Sequence, residues 1–305
     1  MKRQLAAVLV IAITLMPTWT VPAHAGVDPA DQTDPVVALG RQLVPGRGVR
    51  FSETVTSRSF SPGERTETFR YRITGAYRFG RTGIGRTGVV ASRMAQTIDP
   101  RSLPAEARDD NAPLRLIVLR RAVYIAAEGF LPEGFLPRGK TWIRGESAGV
   151  FSPQLINVLE PITLWGLLRT TTGTRSGKLN GMPMTVYRGT ISARRLYEVS
   201  PTYRKQTGDK PRGQAGRMAI RWKLWQDARQ RTRKLVTSYT DKTPGMAGRT
   251  VVSSTVTFRD WGDRIVITPP PARSVIDIEE MFQQEGAMAA VPRRPLPVPI
   301  REREP

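Results

Sequence analysis

The chain has 305 residues, no cysteine and a single histidine, and its 47 Lys and Arg stand against 26 Asp and Glu for a formal charge of +21. Without cysteine there is no disulfide, no thiolate nucleophile and no cysteine-based metal site. With His24 as the sole imidazole, Ser-His-Asp catalysis and histidine-zinc sites lack their parts.

The first stretch reads as an export signal. Lys2 and Arg3 form a positive start, "LAAVLVIAITLM" an apolar run, and "PAHA" a small-x-small cleavage pattern, so a cut after Ala25 is expected. The apolar run is short for a membrane-spanning helix and is followed by Pro17 and Pro22. Cleavage also removes His24. It leaves 45 basic residues against 26 acidic ones, a charge of +19. With no cysteine at the cut, no N-terminal lipid anchor of that kind is expected, and the protein should be secreted or extracytoplasmic. There the available polyanions are lipid headgroups, wall polymers and acidic proteins rather than nucleic acid.

Residues 26–33 are a short polar segment. "DPVVALGRQLVPG" (34–46) predicts a short helix, with Asp34 as cap, Pro35 at the first helical position and Pro45-Gly46 as the stop. The period then changes to two. "VRFSETVTSRS" reads as a strand, and "FRYRITGAYRF" alternates Phe69, Tyr71, Ile73, Tyr77 and Phe79 with Arg70, Arg72 and Arg78. One face is apolar and aromatic, the other cationic, as in a sheet with one covered side. "GRTGIGRTG" (80–88) reads as a turn, "VVASRMAQT" as extended chain, and "PLRLIVLRRAVYIAAEG" as two strands reversing at Arg120-Arg121. "FLPEGFLPRGK" is a loop and "TWIRGE" a strand. "SPQLINVLEPITLWGLLRTT" (152–171) is the strongest helix pattern, and Pro161 should kink or divide it.

"MAIRWKLWQDARQRTRKLVTSYT" (218–240) mixes two tryptophans with six basic residues. It reads as a hairpin about "QDARQ". Met218, Ile220, Trp222 and Leu224 face inward, Arg221 and Lys223 face water, and Leu235 lies opposite on the return strand. "TVTFRDWGDRIVITPPP" is a further strand. One domain over residues 34–282 is expected. From residue 283 the chain turns to Ala, Pro and Arg, a composition that predicts a disordered tail over 283–305.

Two motifs imitate nucleotide sites. "GIGRTG" (83–88) matches G-x-G-x-x-G but is followed by a strand pattern. "GTRSGK" (173–178) has one residue too few for a phosphate loop and Leu179 where Ser or Thr is needed, so it reads as a turn. For acid–base chemistry only carboxylates remain. Glu53, Glu160, Asp227, Asp260 and the rest read as turn or strand-end groups beside arginine, and no two share a spacing that fixes a site. No enzyme, metal or cofactor is expected.

The serial order of motifs resembles the LppX/LprG-like secreted proteins and lipoproteins of the LolA-like envelope-carrier superfamily. The carrying residues are Gly139, Lys140 and Trp142; Asn180, Gly181, Tyr187 and Gly189; Trp225–Asp227; and Phe258–Gly262 running into Ile267–Pro270. The resemblance implies an α+β fold, a strongly bent antiparallel half-barrel closed by a few helices on its concave face. It also implies an apolar cavity for an amphiphilic lipid or acylated molecule. Candidate lining residues are Tyr71, Ile73, Tyr77, Leu155, Leu159, Ile162, Trp165, Trp222 and Leu224. The same side chains would equally fill a plain core, and spacing does not say which. Other relatives of this type are sensors, so an interaction module that docks an acidic partner or anionic envelope surface is the alternative.

Export carries a direct prediction. N-terminal sequencing of protein recovered outside the membrane should begin at Gly26, and a membrane-bound form starting at Met1 would contradict it.

Overall fold

The computed structural model describes residues 34–63, 65–103, 105, 111–128, 131, 135–147, 149–150, 152–242 and 248–282. The expected signal peptide, the polar segment 26–33 and the Pro/Arg-rich tail lie outside them.

The chain opens with helix α1 (Pro35–Gln42), capped by the Asp34 carboxylate, which accepts from Val36 N at 2.7 Å. Three long antiparallel strands follow: β1 (Arg47–Phe60), β2 (Glu67–Gly83) and β3 (Arg86–Ile98). Shorter strands β4 (Leu114–Leu119), β5 (Ala122–Ala126) and β6 (Trp142–Glu146) extend the sheet on one side. Helix α2 (Pro161–Leu168) leads into β7 (Thr171–Leu179) and β8 (Met182–Ser192). Three short helices come next: α3 (Ala193–Val199), α4 (Pro201–Thr207) and α5 (Gly213–Arg217). Strands β9 (Ala219–Gln226), β10 (Thr232–Asp241), β11 (Arg249–Arg264) and β12 (Val275–Asp277) follow.

All twelve strands form one sheet, ordered β12-β6-β5-β4-β3-β2-β1-β11-β10-β9-β8-β7. Every pairing is antiparallel except β12 on β6. The two edges, β12 and β7, do not meet, so the sheet is open. The class is α+β on the expected half-barrel plan. Helices cover one face: Leu39 of α1 and Leu43 at its C-cap, Leu164 and Leu167 of α2, Leu196 and Val199 of α3 and Tyr203 of α4 join a single core with the inner face of the sheet. The opposite face holds a smaller apolar patch, where Ile265 and Ile267 pack on Ala76, Ala91 and Ile117.

The helix pattern over 152–171 is corrected. Only Pro161–Leu168 is helical, and residues 152–160 run as bends and turns. Pro161 cannot donate a helical N–H and its ring excludes helix before it, so it starts α2 instead of kinking a longer helix. The frame changes with it. Leu164 and Leu167, three apart, point inward, while Ile162 and Trp165 lie on the outer side, each 39 % exposed. "GTRSGK" is not a turn but the middle of edge strand β7. The reversal lies at Asn180 and Gly181, whose φ of 51° and 80° fit a two-residue hairpin turn.

The helices α3 and α4, unassigned from sequence, do carry start signals. Ser192 and Ser200 cap them by accepting from Arg195 N and Tyr203 N, both at 3.2 Å, Pro201 takes the first position of α4, and Gly208 ends it. Glu160 ties these pieces together. Its carboxylate accepts from Thr163 Oγ1 (2.6 Å), Ser200 Oγ (3.3 Å), Thr202 N (3.1 Å) and Thr202 Oγ1 (2.6 Å), joining the starts of α2 and α4.

The close crossing of α2 and α3 depends on Gly166. A Cβ there would come within 2.6–2.8 Å of three Val199 side-chain atoms. Gly166→Ala should therefore destabilise the protein by about 1–3 kcal/mol through overpacking. Thermal unfolding checks this, and an unchanged melting temperature would mean that the helices separate freely.

Candidate functional site

Strand register turns the alternating sequence into rows that cross the inner face. One row runs Ile73, Glu53, Val256, Leu235, Leu224 and Tyr187 across β2, β1, β11, β10, β9 and β8. The next runs Tyr71, Val55, Ser254, Thr237, Trp222 and Gly189. A Cβ at Gly189 would meet the Trp222 ring at 2.6 Å, so glycine lets the indole lie flat across β8. Trp222 Nε1 donates to Thr170 Oγ1 at 3.1 Å.

The first row contains an exception. Glu53 is a carboxylate in an otherwise largely apolar line, and it is 2 % exposed. Ser254 Oγ donates to its Oε1 at 2.5 Å, and Gln154 Nε2 donates to its Oε2 at 3.4 Å. The network continues inward. Tyr77 OH donates to Gln154 Oε1 at 2.6 Å and lies 3.1 Å from Ser152 Oγ, which also bonds Gln154 Oε1. Gln206 Nε2, from α4, donates to Ser152 O at 2.7 Å. The sequence reading of Glu53 as a solvated group is corrected: its place in the period puts it inside. Burial raises its pKa above the ordinary 4.5, and the two hydrogen bonds oppose that shift.

Toward one end of the strands the inner face opens. Phe69 is 36 % exposed, and Tyr71, Val252 and Tyr239 are half-buried. Phe69 and Tyr71 stand tilted with ring centroids 6.0 Å apart. Burial, with Glu53 nearby, pushes the Tyr71 phenol up to about 12. Burial raises the Tyr203 phenol of α4 too, with Tyr239 contributing. The rim therefore stands above a floor of Val55, Ser254 and Glu53.

The expected lining residues divide in position. Tyr71, Ile73, Tyr77, Trp222 and Leu224 all lie on the inner face. Leu155 and Leu159 reach the same core from the turns of 152–160. Ile162 and Trp165 do not join them, because the frame of α2 starts at Pro161. The second tryptophan of the hairpin also differs from its partner. Trp225 is on the outer face, with Lys223 Nζ at 4.7 Å and Lys234 Nζ at 5.2 Å from its ring centroid. Tyr239, Thr237, Ser254 and Gln154 were not singled out from sequence. Ser254 reaches Glu53 from the neighbouring strand β11, and Gln154 reaches it from the irregular segment 152–160.

The described residues contain no group of three or more His, Cys, Asp or Glu placed to hold a metal ion. None of their helices is long and apolar enough to cross a membrane.

No protein-family model and no curated protein sequence matches the chain. Among solved structures the chain is similar to LprF from Mycobacterium bovis, at 14 % identity over 80 % of this chain and 99 % of that one, with a TM-score of 0.39. It is also similar to a LolA superfamily protein from Nitrosomonas europaea, at 10 % identity over 76 % and 94 %, with a TM-score of 0.24. A third likeness is to a DUF1329 family protein from Desulfovibrio piger, at 14 % identity over 74 % and 94 %, with a TM-score of 0.24.

The raised pKa of Glu53 gives a pH test. In the pH interval between 4.5 and the raised value, the folded protein holds a proton that the unfolded chain has released. The associated stability is complete below the unfolded pKa and is lost as pH rises through the folded pKa. Melting temperatures of wild type and Glu53→Gln across pH 4 to 8 (roughly the span in which such a shift shows) should therefore diverge, with the variant gaining on wild type as pH rises. Parallel curves would contradict the buried ionisation.

Proposed function

We propose that this protein binds an amphiphilic, acyl-bearing molecule outside the cytoplasm, with the apolar part entering the inner face at the aromatic rim. The observation that carries the reading is the cluster of exposed Phe69 with half-buried Tyr71, Val252 and Tyr239 at one end of the inner face. A contiguous apolar and aromatic rim leading to a core is a favourable place for an acyl chain. Each CH₂ removed from water contributes about 0.8 kcal/mol, so a partly inserted chain supplies useful affinity without any covalent chemistry. The inner face also provides carboxyl, amide and hydroxyl groups at Glu53, Gln154 and Ser254, with which a polar group could pair at the floor. The export signal, the motif resemblance and the lack of imidazole and thiol in the mature chain point the same way, and favour a non-enzymatic carrier or binder.

Val55 gives the test, because it sits between Tyr71 and Ser254 on the second row. In Val55→Trp the indole should occupy the ligand's path. Uptake of a fluorescent fatty acid should fall strongly while melting temperature changes little. In a plain, filled core the same substitution should cost about 1–3 kcal/mol, and wild type should take up no probe. That second result would reject the carrier reading and favour an interaction module acting through the basic outer face.

A further inference from the structure

We propose a second binding site, specific for a phosphate group, in a cleft between α1, the β9–β10 turn and the end of β11. The cleft has a volume of about 430 Å³ and is lined by Arg41, Gln42, Arg229, Gln230, Arg231 and Trp261, among others. That volume falls within the roughly 300–1,000 Å³ of small-molecule sites. The site does not depend on an acyl ligand at the inner face.

Its charge is uncompensated for a structural reason. Asp227, the acidic residue of the turn, is fully engaged. Its Oδ1 accepts from Arg229 N and Arg231 N, both at 3.0 Å, and its Oδ2 accepts from Arg231 Nε (2.9 Å) and Arg233 Nε (2.8 Å). Backbone and guanidinium contacts, which outweigh its burial, hold its pKa below the ordinary value. Asp227 thus stays ionised and committed to the turn. Arg41 and Arg229 are exposed and, among the described residues, pair with no carboxylate. Two guanidinium groups facing one cleft suit an oxyanion, which can accept from both.

Gln42 Nε2 donates to Arg229 O at 2.9 Å, which ties α1 to the β9–β10 turn beside the cleft. The backbone around the cleft is held in a conformation that side chains rarely adopt. Gln230 has φ 58° and Asp260 has φ 55°, beside Gly262 at 85°. Residues 260–262 form an irregularity in the β1–β11 pairing, where Gly48 and Arg50 face Asp263 and Arg259. Trp261 Nε1 donates to Thr232 O at 2.9 Å, which anchors the indole between cleft and core. Such geometry recurs at binding sites.

Calorimetric titration of the mature chain with glycerol 3-phosphate, inorganic phosphate and phosphatidylcholine vesicles with or without phosphatidylglycerol tests the proposal. Glycerol 3-phosphate or the phosphatidylglycerol vesicles should bind wild type about ten-fold or more tightly than the Arg41→Gln/Arg229→Gln variant. The Arg70→Gln/Arg72→Gln variant, with the same charge removed from the outer face of β2, should bind like wild type. Binding of the free solute assigns the site to a soluble or polymer-borne phosphate, and binding of the vesicles alone assigns it to a lipid headgroup. Equal losses in both variants would reduce the effect to net charge and overturn the site. So would the absence of binding to either form. Inorganic phosphate that binds wild type and not the cleft variant supports the same phosphate site.

Discussion

The segregation of side chains by strand period is the constraint on which this protein rests. Along β2 the inward positions are Tyr71, Ile73, Tyr77 and Phe79, and the outward ones include Arg70, Arg72 and Arg78. A slip of one residue would carry guanidinium groups into the core and aromatic rings into water. With that register fixed, β1 must present Phe51, Glu53 and Val55 to the same side. The helices can then cover only one face. The outer face remains cationic, apart from the patch closed by Ile265 and Ile267.

Glu53 is the place where this pattern is broken from within. A carboxyl in the middle of the inner rows costs desolvation, and the protein answers with Ser254 and Gln154 rather than with a cation. The surrounding hydroxyls and amides hold residues 152–154 against β2 and reach α4 through Gln206. The polar network therefore fixes how the irregular segment 152–160 lies over the sheet. It also places hydrogen-bonding groups beneath the aromatic rim. The same arrangement can hold the segment in place and receive the polar part of a ligand.

Much of the fold could be read where a single strong signal acts. Asp34-Pro35 marked α1, the alternation of β2 marked its faces, and the hairpin register that sets Leu224 opposite Leu235 followed from the turn about Asp227. Reading failed where two signals compete. The leucine spacing over 152–171 suggested one long helix, but Pro161 starts the helix and shifts Ile162 and Trp165 outward. Trp222 and Trp225 look alike in composition, and their odd spacing puts them on opposite faces. The partners of Glu53 were not legible at all. Ser254 lies 201 residues away and Gln154 101 residues away, so only the assembled sheet brings them together.

We propose that an acyl chain binds at the rim of the inner face and not on the outer side of α2. A photoactivatable fatty acid, crosslinked to the mature protein and mapped by peptide mass spectrometry, measures this most directly. Labelling should concentrate on β1, β2, β10 and β11, at residues such as Val55, Tyr71 and Tyr239, and should be competed by unlabelled fatty acid. Labelling centred on Ile162 and Trp165, or spread without competition over the outer strand faces, would contradict the account.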